Sequence, residues 1–511
     1  MTAERPGGTT PGGEMARGAA VNTAAMLASN FRGIFTFLVA RLLGAAVLGT
    51  FSVAWAAMDL VSKVGTLGLD NAATTLIARA EALGEADRGR RLFLAAIGVS
   101  LAANVVVAAA CTFAIRSLGV RLGGPPAVLD ALAVLVWAMP GVALYRVSTA
   151  ASRGRKVMRH DLYSRGLTET TATTLAFVAL FALGFRTYAP EVAAVAGTGA
   201  SGLVACALAA SLFRRSPGRA AAATLADEAR ALVAYSAPIG GYQLLNAFIV
   251  RIDVIMLGWF VGRVPGVTLT SVGIYAAAVE VASGLRKVNQ SFTPIFTPVV
   301  AGATAAGDVR LAAEQYRRLA RWMLAILLPL VGVMTFGGGA ILAIYGSAFR
   351  QGAPWLAVVA AACATNAFVG LGEIVIMVQR PALNLLNSAV TCAVGVGANL
   401  WLIPHVGMMG AAIGILLPYV LQGVLRGAEL RLVFGWRGPG RGLRRPIAAA
   451  AFAAVPAAVC RLLWGDVPGQ LASAALFVAA YLGAWWRLGL EEDDRATLAE
   501  LTGRSAVKPA A

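Results

Sequence analysis

Arginine and lysine fall on alternate sides of a regular series of long apolar runs, and that series rules out a soluble fold. The runs occupy residues 17–40, 44–69, 92–115, 127–150, 163–185, 190–213, 231–258, 269–298, 321–345, 354–378, 383–403, 408–430, 447–464 and 469–488. A helix needs about 20 apolar residues to cross the hydrocarbon layer, and a lone helix satisfies its own backbone hydrogen bonds there. With 58% hydrophobic residues, 13% charged residues and a mean hydropathy of +0.73, the chain has too much apolar surface for an aqueous domain to hide. The sequence therefore predicts an all-α, polytopic membrane helix bundle of about 14 transmembrane helices.

The cations set the orientation. With the N-terminus in the cytoplasm, the loops on that side collect Arg79, Arg88, Arg90 and Arg91, then Arg153, Arg155, Lys156 and Arg159, then Arg214, Arg215 and Arg219, then Arg310, Arg317, Arg318 and Arg321, then Arg437, Arg441, Arg444 and Arg445. The opposite loops hold only scattered cations such as Arg116, Arg121, Arg186, Arg263 and Arg350. This is the positive-inside asymmetry of a bacterial inner-membrane protein with both termini cytoplasmic. The net charge of +18 follows from topology and anionic headgroups, and cations dispersed over many short loops do not form a nucleic-acid surface. Residues 1–16 and 489–511 read as loose cytoplasmic tails, and the start carries no signal peptide. The five cysteines (Cys111, Cys206, Cys363, Cys392, Cys460) fall inside apolar spans without metal-ligand spacing, so neither disulfides nor a cofactor are expected. His160 and His405 have no metal-like company.

An internal repeat organises the spans. Laid without gaps, Leu48-Gly49-Thr50-Phe51 matches Val272-Gly273-Ile274-Tyr275, and Lys63-Val64 matches Lys287-Val288. The loops after the fourth and tenth spans also correspond, with Arg155 against Arg380. Two six-helix lobes are expected, 17–213 and 231–432, as parallel repeats around a central cavity. Linkers at 214–230 and 433–446 join them to each other and to two additional helices at 447–488. Transporters built from such repeats bind substrate between the halves. Pro140, Pro238, Pro294, Pro298, Pro329 and Pro418 lie within spans, where each ring removes a backbone hydrogen bond and permits a bend.

Ionisable residues at membrane depth cost about 2.5–3.5 kcal/mol each on insertion scales, so they are expected to face water or a partner. They concentrate in equivalent spans of the two halves: Arg32 in the first, Asp59 and Lys63 in the second, Arg251 and Asp253 in the seventh, and Glu280, Arg286 and Lys287 in the eighth. The surplus is positive, which favours an anionic substrate such as a diphosphate over a cationic drug. Arg32, Lys63, Arg251, Arg286 and Lys287 are the candidate contacts, with Asp59, Asp253 and Glu280 as cavity acids. Alternatives stay open: Asp59 and Lys63, four apart on one helix face, can neutralise each other. Arg286 and Lys287 can snorkel to headgroups. Arg251 and Asp253, two apart, point to nearly opposite faces and need other partners. Arg41 and Arg426, at span ends, read as interfacial anchors. Glu169 and Glu373 are isolated carboxylates able to carry a proton or sodium ion, or simply to sit protonated among polar neighbours.

Two stretches carry a family resemblance. Arg41-Leu42-Leu43-Gly44 through Gly49, with Gly65-Thr66-Leu67-Gly68-Leu69-Asp70-Asn71-Ala72 and Ile77-Ala78-Arg79, resembles the first hairpin of the polysaccharide-biosynthesis flippases. Ile252-Asp253-Val254-Ile255-Met256-Leu257-Gly258 and Val272-Gly273-Ile274-Tyr275-Ala276-Ala277-Ala278 look like the seventh and eighth spans of that family, part of the multidrug/oligosaccharidyl-lipid/polysaccharide exporter superfamily. The resemblance implies a non-enzymatic, alternating-access transporter of undecaprenyl-diphosphate-linked sugar. Its partners would be membrane lipids, H+ or Na+, and polysaccharide-assembly proteins. A lipid II flippase and a small-molecule antiporter of the same fold are the rival readings. A membrane-embedded glycosyltransferase is disfavoured by the short outer loops and by the lack of a sugar-nucleotide or metal motif.

Overall fold

A computed structural model describes residues 32–213, 224–305, 309–432, 435 and 441–487, and every regular element among them is a helix. In chain order the α-helices of ten or more residues are α1 (Arg32–Leu43), α2 (Ala45–Thr66), α3 (Leu69–Ala82), α4 (Ala86–Leu122), α5 (Pro126–Leu135), α6 (Met139–Gly154), α7 (Thr170–Ala182), α8 (Ala189–Phe213), α9 (Leu225–Phe260) and α10 (Leu269–Ala305). The series continues with α11 (Val309–Phe336), α12 (Ala353–Gln379), α13 (Pro381–Val406), α14 (Met408–Leu432), α15 (Arg444–Leu463) and α16 (Val467–Arg487).

Eleven helices among the described residues are long and apolar enough to cross a membrane. The remaining three expected spans differ for physical reasons. Most of 17–40 lies outside the described residues, and α1 is its described part. The run at 163–185 begins as a π-helical segment, Leu162–Glu169, leaving only 13 residues of α-helix in α7. The run at 269–298 lies inside the 37-residue α10, where Glu280, Arg286 and Lys287 interrupt the apolar character. The figure of 14 thus stays a sequence expectation, as do the tails.

Local breaks follow from residue chemistry. Pro140 cannot donate to the Val136 carbonyl, so the fourth span tightens into a 3-10 turn over Val136–Ala138 between α5 and α6, with the Met139 amide donating to Val136. The α2–α3 joint is a left-handed pair, Leu67 at φ 45° and Gly68 at φ 75°. Helix α9 starts inside the stretch expected as linker because Thr224 and Asp227 form a reciprocal capping box (3.2 and 3.0 Å). Likewise α10 and α11 extend into residues 299–320, between the expected runs 269–298 and 321–345.

The chain divides into two compact units, Met1–Ala277 with Ser388–Pro418, and Ala278–Asn387 with Tyr419–Ala511. In the first, α8 packs on α6 through small residues: a Cβ on Gly141 would lie 2.7 Å from the Thr198 carbonyl carbon, and one on Gly202 would lie 2.8 Å from the Gly141 oxygen. Close backbone approach of this kind drives helix association in lipid, where no hydrophobic effect separates helix from solvent. Helix α9 packs against α2, α3 and α4, and Glu228 at its start is clamped by Arg88 (3.2 Å) and Arg91 (3.8 Å). The tightest crossing joins α2 to the first turns of α10. A Cβ on Gly49 would collide with the Leu269 oxygen and lie 2.8 Å from the Gly273 nitrogen; one on Gly273 would collide with the Ala45 oxygen. Gly49 and Gly273 are the two positions that the internal repeat superimposes. In the second unit, α15 and α16 pack together and onto α11, where Gly332 meets the Phe477 ring and the Tyr481 hydroxyl donates to the Ala325 carbonyl (3.0 Å).

Candidate anion-binding cavity

Within the first unit, α2, α3, α6 and the π segment surround a polar cavity of about 230 Å³, lined by Lys63, Asp70, Tyr145, Arg146, Thr149, Arg153, Asp161 and Arg165. Four cations face two carboxylates, so the chamber is electropositive. Its geometry follows from the local breaks. The left-handed joint at Leu67–Gly68 turns α3 away from α2, which sets Lys63 and Asp70 on the same wall. The π segment carries Arg165 from the far side, its guanidinium 6.0 Å from the centre of the Tyr145 ring.

Asp59 organises the cations behind this wall. Its Oδ1 accepts from Arg146 Nη2 at 2.9 Å, and its Oδ2 lies 3.6 Å from Arg251 Nε. One carboxylate thereby ties α2 to both α6 and α9. The i,i+4 geometry with Lys63 is not what this carboxylate uses for its close contacts. Among the described residues Lys63 makes no ion pair, which leaves its ammonium to the cavity. Asp253 is separated from Arg251 as the helical geometry requires: it is fully buried and accepts from the Tyr275 hydroxyl at 2.7 Å.

Glu169 closes the π segment beside a second, much smaller cavity of about 20 Å³, lined by Phe35, Phe51, Trp55, Thr170, Thr173, Ala194 and Thr198. That volume holds about one water or ion. The buried Glu169 Oε2 has no hydrogen-bond partner among the described residues.

The other sequence-derived candidates lie elsewhere. The Arg32 side chain is outside the described set. Glu280, Arg286, Lys287 and Glu373 belong to the second unit. There Arg286 Nε donates to Cys363 Sγ at 3.3 Å. Arg426 corrects the reading of an interfacial anchor: its side chain is 2% exposed, donates to Glu373 at 2.8 Å and to the Val369 carbonyl at 3.2 Å. A buried guanidinium needs such a counter-ion, and Glu373 supplies it. Reading the sequence missed Arg146, Arg153 and Arg165 as cavity residues, because each lies within a few residues of a basic loop and looks like an ordinary positive-inside cation.

His160 follows Arg159 outside the spans. It is 5% exposed with Nδ1 2.9 Å from the Ser152 hydroxyl oxygen, and burial, helped by the Arg159 charge, holds its imidazole below the usual value. A depressed histidine contributes stability that is full above its unfolded pKa of about 6.5 and is lost as pH falls toward the folded value. His160→Gln should therefore flatten the acid side of the thermal-stability profile below about pH 6.5; an unchanged profile would show that another group controls it. Among the described residues no group of three His, Cys, Asp or Glu is placed to hold a metal ion.

Comparison with known proteins agrees with this architecture. No curated sequence matches significantly. Among solved structures, the lipid II flippase MurJ in an inward closed conformation superimposes with a TM-score of 0.69 at 10% identity, covering 95% of this chain and 99% of that one. An inward-facing multidrug resistance MATE family transporter of the MOP superfamily gives 0.63 at 16% identity (82% and 98%). A point mutant of the Vibrio cholerae MATE transporter VcmN gives 0.58 at 15% identity (82% and 98%). At these identities the likeness establishes the fold, that of a multi-pass membrane protein. The family model described as polysaccharide biosynthesis protein matches residues 15–301, more than half of the sequence, and the chain belongs to that family.

Proposed function

We propose that this protein is a flippase that carries a lipid-diphosphate-linked oligosaccharide across the bacterial cytoplasmic membrane, with both termini on the cytoplasmic side. The observation that carries this reading is the polar cavity in which Lys63, Arg146, Arg153 and Arg165 outnumber Asp70 and Asp161. Fixed guanidinium and ammonium groups in a half-enclosed chamber attract and orient a diphosphate, whereas they repel a cationic drug. The sugars would occupy hydrated space, the prenyl tail would stay in lipid, and lobes 17–213 and 231–432 would alternate access. Arg32, Arg286 and Lys287 are proposed as further contacts along the path, whereas Arg251 is held by Asp59 behind the cavity wall. No bond is made or broken.

Glu169 is the better of the two isolated acids for ion coupling. Glu373 already holds the guanidinium of Arg426, whereas the Glu169 carboxylate borders a space the size of one water, with three threonines around it. A proton or sodium ion bound there would neutralise it at low cost.

Proteoliposomes containing the purified chain test the reading. Movement of a diphosphate-linked glycolipid between leaflets is expected. Gradient-driven uptake of an amphiphilic cation without glycolipid movement would assign the protein to the antiporters. In a host deprived of the chain, the lipid-linked intermediate that builds up on the inner leaflet identifies the sugar, and lipid II alone would place the substrate in peptidoglycan synthesis.

A further inference from the structure

Resting on the diphosphate reading of the cavity, we propose that Asp59 is an internal placeholder anion, which the substrate's phosphate displaces from Arg146 and hands to Arg251. Arg146 is a cavity wall residue whose side chain is only 16% exposed, so its guanidinium needs an anion whether or not substrate is present. Asp59 Oδ1 fills that role at 2.9 Å. A phosphate oxygen offers the same acceptor geometry with more charge, and a guanidinium takes either in the same forked fashion.

What happens to the displaced carboxylate is set by its other oxygen. A diphosphate seated on Arg146 repels Asp59, and Arg251 Nε already stands 3.6 Å from Oδ2, just beyond a close hydrogen bond. Arg251 does not line the cavity, so it does not compete for the phosphate itself. Arg251 is thus placed to receive the carboxylate, whose move would close the gap between α2 and α9. Helix α9 is the element best built to respond. It carries Pro238, Gly240 and Gly241, and its Gly240 lies directly on the left-handed Leu67–Gly68 joint, where an added Cβ would be 2.7 Å from the Leu67 carbonyl carbon. Two pliant backbone points touch one another within the same unit as the cavity. Occupancy of the anion site is thus reported to a bendable helix through a single shared carboxylate, and Asp59 is a positioning residue for translocation rather than a substrate contact.

The test separates affinity from transport in the full-length protein, using inorganic pyrophosphate as the binding probe in calorimetry and glycolipid movement in proteoliposomes as the transport assay. Asp59→Asn removes the competing charge, so pyrophosphate should bind at least about fivefold more tightly while transport is lost. Asp59→Glu should restore both to near wild type. Arg251→Gln should weaken pyrophosphate binding when Asp59 is present, because the displaced carboxylate loses its acceptor, but leave affinity within about twofold in an Asp59→Asn background, and abolish transport in both. A merely structural triad gives a different pattern, in which Asp59→Asn weakens binding and transport together; that result would overturn the placeholder role. The underlying cavity reading fails separately: if Lys63→Ala leaves pyrophosphate affinity unchanged, the chamber is not an anion site. Should Asp59→Asn not fold, hydrogen exchange on the wild-type protein decides. Pyrophosphate should change protection along α9 from Pro238 to Asp253, and saturated protein with unaltered exchange there would contradict the proposal.

Discussion

Lys63→Ala is expected to lower glycolipid translocation by about 10- to 100-fold while leaving the protein folded. The reason is that the Lys63 ammonium makes no ion pair with a described residue, so removing it breaks no internal contact. Hydrogen bonds to charged groups contribute about 1.5–3 kcal/mol each, which is one to two orders of magnitude in a rate limited by substrate capture. Lys63→Arg should retain most of the activity, since the charge remains at the cavity wall. Arg146→Ala makes a useful contrast. It removes the 2.9 Å ion pair with Asp59, so it should lower thermal stability as well as transport. Rate measured in proteoliposomes beside melting temperature in detergent separates the two variants, and wild-type transport by Lys63→Ala would remove this residue from the path.

The second large effect is steric. Gly49→Leu and Gly273→Leu should each prevent recovery of folded protein, because the first atom of the new side chain already collides with the backbone of the facing helix. Overpacking in a well-filled core costs about 1–3 kcal/mol when side chains can shift. Backbone facing backbone cannot shift without separating the helices. Gly49→Ala should show a milder form of the same defect. Gly98→Ala is the control, since a Cβ there meets nothing within 4 Å, and the substitution should be neutral or slightly stabilising in the middle of α4. Monodisperse elution after detergent extraction reads all four variants. Normal recovery of both leucine variants would mean that α2 and α10 do not cross at these glycines.

That crossing shows how far the amino-acid pattern reaches. A gapless match between two apolar segments aligns Gly49 with Gly273, and the same two residues prove to be where the helices touch. Apolar length and the distribution of arginine are enough for the all-helical membrane architecture, because both are dictated by the bilayer and not by tertiary contacts. Pairing is harder. Asp59 and Lys63 are neighbours on a helix face, yet Asp59 turns to Arg146 and Arg251, since which helices approach is a long-range matter that spacing along one helix does not record. Arg426 looks like a residue at a membrane edge because it sits near the end of an apolar run, and only the approach of Glu373 explains its burial. The π segment has no signature at all: Leu162–Glu169 reads as an ordinary helix start, although it places Arg165 and Glu169 on two different cavities.

The most direct measurement is an experimental structure of the full chain with a diphosphate-linked glycolipid bound. The diphosphate should lie in the first unit against Lys63, Arg146 and Arg165, within about 3–4 Å of their nitrogen atoms, with the Asp59 carboxylate turned toward Arg251. A headgroup resolved among neutral or acidic side chains, with that chamber filled only by solvent, would contradict the account.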